Sequence, residues 1–210
     1  GTSAFAASGF EFLLNVPFGL NVGLPTKETK DMFGGGKNHI HMGADVGVDA
    51  QIGYMFQVSS GFGISALAEL GYSFDSYGYG YSEPIPDTAT TVNSSTRFSF
   101  WNQYHSFKVG LLPKFNIGVG RGAIALGIGG AKIPLAGKSR TTITVGNEEI
   151  AKTEVALKRK DITDLFSPSV IGYLKVTFDY YLFFTDNIGM NFGLYLGGDF
   201  APKSERIGVN

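Results

Sequence analysis

The chain has no cysteine. That removes disulfides, thiol nucleophiles and thiolate metal sites, and it leaves the redox state of the compartment open. No run of about 18 apolar residues occurs, so no transmembrane helix can be drawn. Charge is scarce: 17% of the 210 residues are charged, with a net charge of −1. A broad basic field for nucleic acid is therefore missing, as is an acidic tail. Helix-forming patterns are equally scarce. What is abundant is glycine, with 30 residues, and aromatics at 14%. That mixture suits tightly turning β-structure.

One stretch sets the pattern. Met42, Ala44, Val46, Val48, Ala50, Ile52, Tyr54 and Phe56 alternate with Gly43, Asp45, Gly47, Asp49, Gln51, Gly53 and Met55. Side chains on a strand point alternately to opposite faces, so this is one strand with an apolar face and a polar face. Its length exceeds the usual five or six residues and matches the roughly 9–11 needed by a strand tilted across a bilayer.

The alternation recurs. Strands are expected over about Phe10–Leu24, Met42–Phe56, Phe62–Phe74, Arg97–Val119, Ala123–Leu135, Val170–Phe183 and Ile188–Ala201. Pro17 interrupts the first, at a place that tolerates a missing N–H. In the fourth, Phe98 to Trp101 are out of phase with Phe107 to Val119, and a bulge accounts for that. Long connections (25–41, 76–96, 137–167) alternate with short ones (57–61, 118–122, 184–187). Within the longest, Thr141 to Val155 reads as a hairpin about Gly146-Asn147. The whole of 1–210 reads as a single domain.

Alternation alone leaves open which face is inside. A soluble lipocalin-like barrel binding apolar ligands would turn the apolar face inward. A membrane barrel turns it outward. The would-be solvent faces here carry glycine and alanine rather than lysine and glutamate in quantity, which favours the membrane arrangement. The expectation is an all-β fold: an antiparallel up-and-down transmembrane β-barrel, with its ends set apart by long loops and short turns.

The strands from Phe10 to Phe200, the loop asymmetry and the aromatics near strand ends (Phe56, Phe62, Tyr72, Phe74, Phe183, Phe184) resemble the small bacterial outer-membrane barrels of OmpA, OmpX and OmpW type. The resemblance is architectural and covers nearly the whole chain. It implies eight strands, of which seven are recognisable; the eighth is expected beyond Asn210. It also implies the bacterial outer membrane as location, after export. Ala4-Phe5-Ala6 has the form of a signal-peptidase site.

On this reading Glu11, Asp45, Asp49, Glu69, Asp75, Lys108, Lys114, Lys175, Asp179 and Asp199 point into the lumen as a polar network. Tyr173, Tyr181 and Tyr195 fill space beside inward glycines. An eight-stranded barrel is just wide enough for side chains to fill it, so a plugged interior is expected, with a narrow channel for small solutes as the alternative. Tyr77, Tyr79, Tyr81 and Trp101 supply aromatic contact surface on the second loop and its neighbour. Lys158-Arg159-Lys160 offers positive charge to phosphates of lipopolysaccharide or to an acidic partner. Membrane lipid is the expected partner.

No catalytic residue, cofactor or metal is expected. His39 and His41 share a face but lack a third ligand. His105 and Ser106 are adjacent, so they face opposite sides and cannot act as nucleophile and base together. Gly34-Gly35-Gly36 and Gly118 to Gly122 open no helix and are turns, not phosphate loops. The role expected is a non-enzymatic barrel whose loops mediate surface contact or adhesion.

Overall fold

A computed structural model of the protein describes residues 8–24, 27, 36–85, 95–119, 122–127, 129–167, 169–185, 188–200 and 203–204. Ala4-Phe5-Ala6, Gly34-Gly35, residues 86–94 and Arg206 to Asn210 lie outside these.

The chain is all-β and antiparallel. β1 (Gly9–Asn15) and β2 (Phe18–Val22) run as one line along β3 (Lys37–Ser59), followed by β4 (Phe62–Pro84) and β5 (Ser95–Val119). β5 then pairs with β6 (Gly122–Gly127) and, further up, with β7 (Gly130–Val145). β8 (Glu148–Lys158) folds back on β7, and α1 (Arg159–Leu165) follows. β10 (Ile171–Phe183) pairs with β6 and the start of β7, and β11 (Gly189–Phe200) pairs with β10. Two short strands, β9 (Phe166–Ser167) and β12 (Lys203–Ser204), pair with each other.

Each of the seven expected strands is represented, the fifth as two pieces, β6 and β7, and the third and fifth running about ten residues further than expected. The register between β1–β2 and β3 runs unbroken past Pro17, whose carbonyl accepts from the Gly47 N–H at 2.9 Å. Proline therefore costs one ladder rung on an edge strand and no bulge. The turns at Gly61 and Gly146 place their glycines at φ +92° and +60°, a region that a side chain disfavours. The hairpin about Gly146-Asn147 is the β7–β8 pair.

The sheet departs from expectation in three places. First, it is not closed: β1–β2 and β11 are edges that face each other, and no ladder joins them among the described residues. Second, much of the chain read as loop is strand. β3 begins at Lys37, β4 continues to Pro84, β5 starts at Ser95, and β7 and β8 occupy most of 137–158. Tyrosine, serine and threonine in these stretches alternate across paired strands and pack there, as in the stacked Tyr79–Phe100 pair at 5.0 Å. Third, β5 has no bulge; it pairs with β4 in constant register from Ile117 to Ser95. Phe98 and Phe100 simply occupy the same face as the lower polar residues. The irregularities lie beside it, in β3 between His41 and Asp45 and in β7 at Leu135.

The strands differ in reach. β2 pairs with β3 only as far as Met42, and β10 meets β7 only at Ala131 and Lys132. Above that level β3, β4, β5, β7 and β8 continue alone as a projecting sheet. The 23 residues of β4 span about 76 Å at roughly 3.3 Å each. β11, with 12 residues, covers about half of that.

Candidate functional site: the ionic core of the curled sheet

The sheet curls with its polar face inward, and the side chains prove the curl by meeting across strands that are not neighbours. On β3, β4 and β5 the inward positions bring charge: Asp45, Asp49 and Gln51; Glu69, Ser73 and Asp75; Lys108, Lys114 and Asn116. β7 adds Lys132, β10 adds Tyr173, Lys175, Asp179 and Tyr181, and β11 adds Tyr195 and Asp199.

Glu69 is fully buried, with 0% exposure. It accepts from Gln51 Nε2 at 2.8 Å, from Tyr173 Oη at 2.7 Å, and from Lys175 Nζ at 2.8 and 2.7 Å on its two oxygens. Lys108 Nζ pairs with Asp49 at 2.6 Å and approaches Glu69 at 3.7 Å. Lys132 joins Asp75 at 2.7 Å to Asp199 at 2.8 Å, bridging β4, β7 and β11. Lys114, 1% exposed, donates to Asp179 at 2.8 Å and to Tyr181 Oη at 3.0 Å. Asp45 accepts from Tyr195 Oη at 2.9 Å. Buried charge is tolerated only when paired and hydrogen-bonded, and these groups are.

Tyr173 stands at the centre. The ammonium groups of Lys108, Lys132 and Lys175 lie 5.6, 5.7 and 5.8 Å from its ring centroid, within cation–π range. Glycines make room for the large groups. A Cβ at Gly71 would collide with Asp49 Oδ1, and one at Gly19 with the Tyr195 hydroxyl.

Apolar residues interrupt and cap this ionic core. Leu67 and Leu112 face each other, fully buried, between the Glu69 level and the Lys114 level, which lies nearer the short turns. Towards the projecting sheet, Tyr104, Leu157 and Ile162 form a buried cluster that Tyr77 packs against. Ile162 comes from α1. Asp161 accepts from the Lys158 N–H at the helix start, and Arg159 anchors the helix by donating to the carbonyls of Pro134 and Ser169. Arg159 is thus spent on the protein itself, and the Lys158-Arg159-Lys160 cluster is not three free cations.

The ten expected polar residues all lie on the concave face; seven are in contact with one another or with its tyrosines, and Asp75 and Asp199 meet through Lys132. Glu11 has no ion pair among the described residues. Lys132 was not foreseen. It sits opposite Lys108 in register, whereas the even-numbered positions 124 and 126 pair with Tyr180 and Phe178, whose phase is convex. The interruption between β6 and β7 switches the phase. A lone lysine after the small residues Gly129, Gly130 and Ala131 was the available signal. Leu67, Leu112 and Met55 were missed because they share the polar phase.

The aromatic contact surface needs correction. Tyr77, Tyr79 and Tyr81 stand on β4, not on a loop, and face the concave side. Tyr81 is 2% exposed and cannot offer contact surface. Trp101 stands on β5, edge-on to His41 at 6.4 Å. His39 Nε2 bonds Ser82 Oγ at 2.7 Å. His105 bonds the Tyr72 hydroxyl on the convex face, and Ser106 is buried on the concave one.

The convex face is apolar and bare. Phe10, Phe18, Leu194 and Leu196 are 73, 79, 76 and 81% exposed. A cleft of about 810 Å3 opens between the β1–β2 and β11 edges onto the ionic core. No protein-family model, curated protein or solved structure matches the chain.

Proposed function

We propose that the chain forms a closed β-barrel in a bacterial outer membrane, non-conducting and non-enzymatic, whose projecting sheet makes contacts outside the cell. The inverted polarity carries this reading. A chain that leaves Phe10, Leu194 and Leu196 bare while burying Glu69 and Lys114 gains nothing from water. In lipid the same arrangement satisfies both faces. It is also the reverse of what a soluble binder of apolar ligands needs, since such a ligand would meet lysines and aspartates.

A contact across the seam supports closure. Asn191 Nδ2 donates to Asn15 Oδ1 at 3.0 Å, edge to edge. Three bonds of about 1.5 Å separate each Cα from its terminal amide atom, so the Cα atoms stand at most about 10 Å apart. Two strand spacings of about 4.8 Å fill that distance, and three exceed it. The gap therefore has room for at most one strand; with one, the barrel would count eight and leave no bare edge in the hydrocarbon. A solute path is disfavoured by the paired side chains that fill the concave face, with Tyr173 at their centre and Tyr104, Leu157 and Ile162 buried above them.

The test is gel mobility in SDS before and after boiling, followed by planar-bilayer recording. A heat-shifted band without single-channel steps is expected. A band that does not shift, from protein soluble in plain buffer, would overturn the membrane reading. Discrete conductance steps would instead favour the channel.

A further inference from the structure

β8 is the outer edge of the projecting sheet. It pairs with β7 on one side and with nothing on the other among the described residues. Its residues Glu148 to Ala156 are exposed. Free edges invite another strand, and proteins ordinarily block them with charge. Among symmetric pairings that keep seven or more residues of the strand in register, the charges block all but one. The strand reads Glu148-Glu149-Ile150-Ala151-Lys152-Thr153-Glu154-Val155-Ala156-Leu157-Lys158.

Consider two copies of β8 running antiparallel about a two-fold axis. Centred on Lys152, the pairing opposes lysine to lysine. Centred on Glu154, it opposes glutamate to glutamate. Centred on Ala151 it sets Glu148 against Glu154, and on Val155 it sets Lys152 against Lys158. Centred on Thr153, Lys152 meets Glu154 of the second copy twice over, and Glu148 meets Lys158 twice. Ala151 meets Val155, and Ile150, the bulged residue of the strand, meets Ala156. In that register even-numbered residues oppose even-numbered ones, so amides facing the open edge on one strand meet amides facing it on the other. Opposite charges directly across a sheet stabilise it and like charges destabilise it.

We propose that β8 is a homotypic docking edge, pairing antiparallel with β8 of a second copy about Thr153. The axis relating antiparallel neighbours is perpendicular to the sheet. On the membrane reading above, on which this placement rests, β7 and β8 rise from the membrane, so that axis lies in the membrane plane. The second copy then points the opposite way, from a facing membrane. The pairing is an adhesive contact between cells, self-recognising because the isologous edge is its own complement.

The absence of cysteine gives a clean probe. Thr153, Ala151 and Val155 are exposed, so single T153C, A151C and V155C variants in mild detergent keep the fold. Under mild oxidation T153C should cross-link to a dimer, because its Cα atoms face each other across the axis. A151C and V155C alone should not: their like Cα atoms lie about 13 Å apart, beyond the roughly 7 Å a disulfide spans. Mixed A151C and V155C should cross-link. Adding K152E to T153C should cut the dimer band at least tenfold. Equal cross-linking of all three single variants, or monomeric T153C, would overturn the pairing. Phosphatidylcholine vesicles carrying the wild-type chain should cluster by light scattering, and K152E vesicles should not. Cross-linking without clustering would overturn the facing-membrane geometry alone. A missing heat shift on the same samples would mark failure of the membrane reading instead.

Discussion

The hydroxyl of Tyr173 on β10 donates to Oε1 of Glu69 on β4 at 2.7 Å, across the concave face and 104 residues away in sequence. The same carboxylate takes both contacts of Lys175 and lies 3.7 Å from Lys108. One buried anion thus ties β3, β4, β5 and β10 together through Gln51, Lys108, Tyr173 and Lys175.

Removing that charge should cost more than removing the tyrosine hydroxyl. Tyr173→Phe deletes one hydrogen bond to a charged group, about 1.5–3 kcal/mol. Glu69→Gln leaves buried Lys175 without its close anion, while Lys108 keeps Asp49, and this costs about 3–5 kcal/mol. Urea unfolding in detergent ranks the two variants. Equal midpoints for Glu69→Gln and wild type would mean that the core ions are not paired as described.

The period-two alternation made the strands and the ten polar residues legible, because a strand that divides two environments must repeat every second residue. It could not show where the environment changes along the strand. Above the level of Met42 aromatic residues occupy the concave phase, so Phe98 and Phe100 read as out of phase and Tyr79 read as loop. Lys132 escaped because the phase switches between β6 and β7. Leu67 and Leu112 escaped because an apolar residue in the polar phase looks like noise until its partner across the sheet is known.

Glycine 71 should be irreplaceable where glycine 198 is not. Both lie in strands. A Cβ on Gly71 would overlap Asp49 Oδ1 and stand 2.5 Å from the Val48 carbonyl oxygen, in the path of the Asp49–Lys108 ion pair. Nothing lies within 4 Å of the corresponding atom on Gly198. Gly71→Ala should lose the heat-modifiable band or lower its transition, and Gly198→Ala should match wild type.

The charged hairpin pair should survive acid well below the ordinary carboxylate range. Hydrogen bonds from Lys138, and then from Arg140, hold the exposed Glu154 carboxyl down, from 4.5 to about 2. A depressed folded pKa means the contribution is present above the unfolded value and is lost as pH falls through the folded one. Carbon-detected NMR of the Glu154 carboxyl should therefore show titration near pH 2. Titration at about 4.3, the unperturbed value for glutamate, would show that the bridges do not form in solution.

A charge on the convex face gives the sharpest separation between lipid and water. Leu196 is 81% exposed on β11, and Leu194 and Phe192 flank it. In water, Leu196→Arg would remove an exposed apolar side chain and leave stability within about 0.5 kcal/mol, as surface substitutions usually do. In a bilayer the same change places a guanidinium against hydrocarbon, at about 2–4 kcal/mol near the midplane and less than 1 near the interface. Arginine scanned along Phe192, Leu194, Leu196 and Phe200 should therefore trace a maximum near the middle of β11 in vesicle refolding titrations. A flat profile along the strand would place the convex face in water, and with it the whole barrel reading would fall.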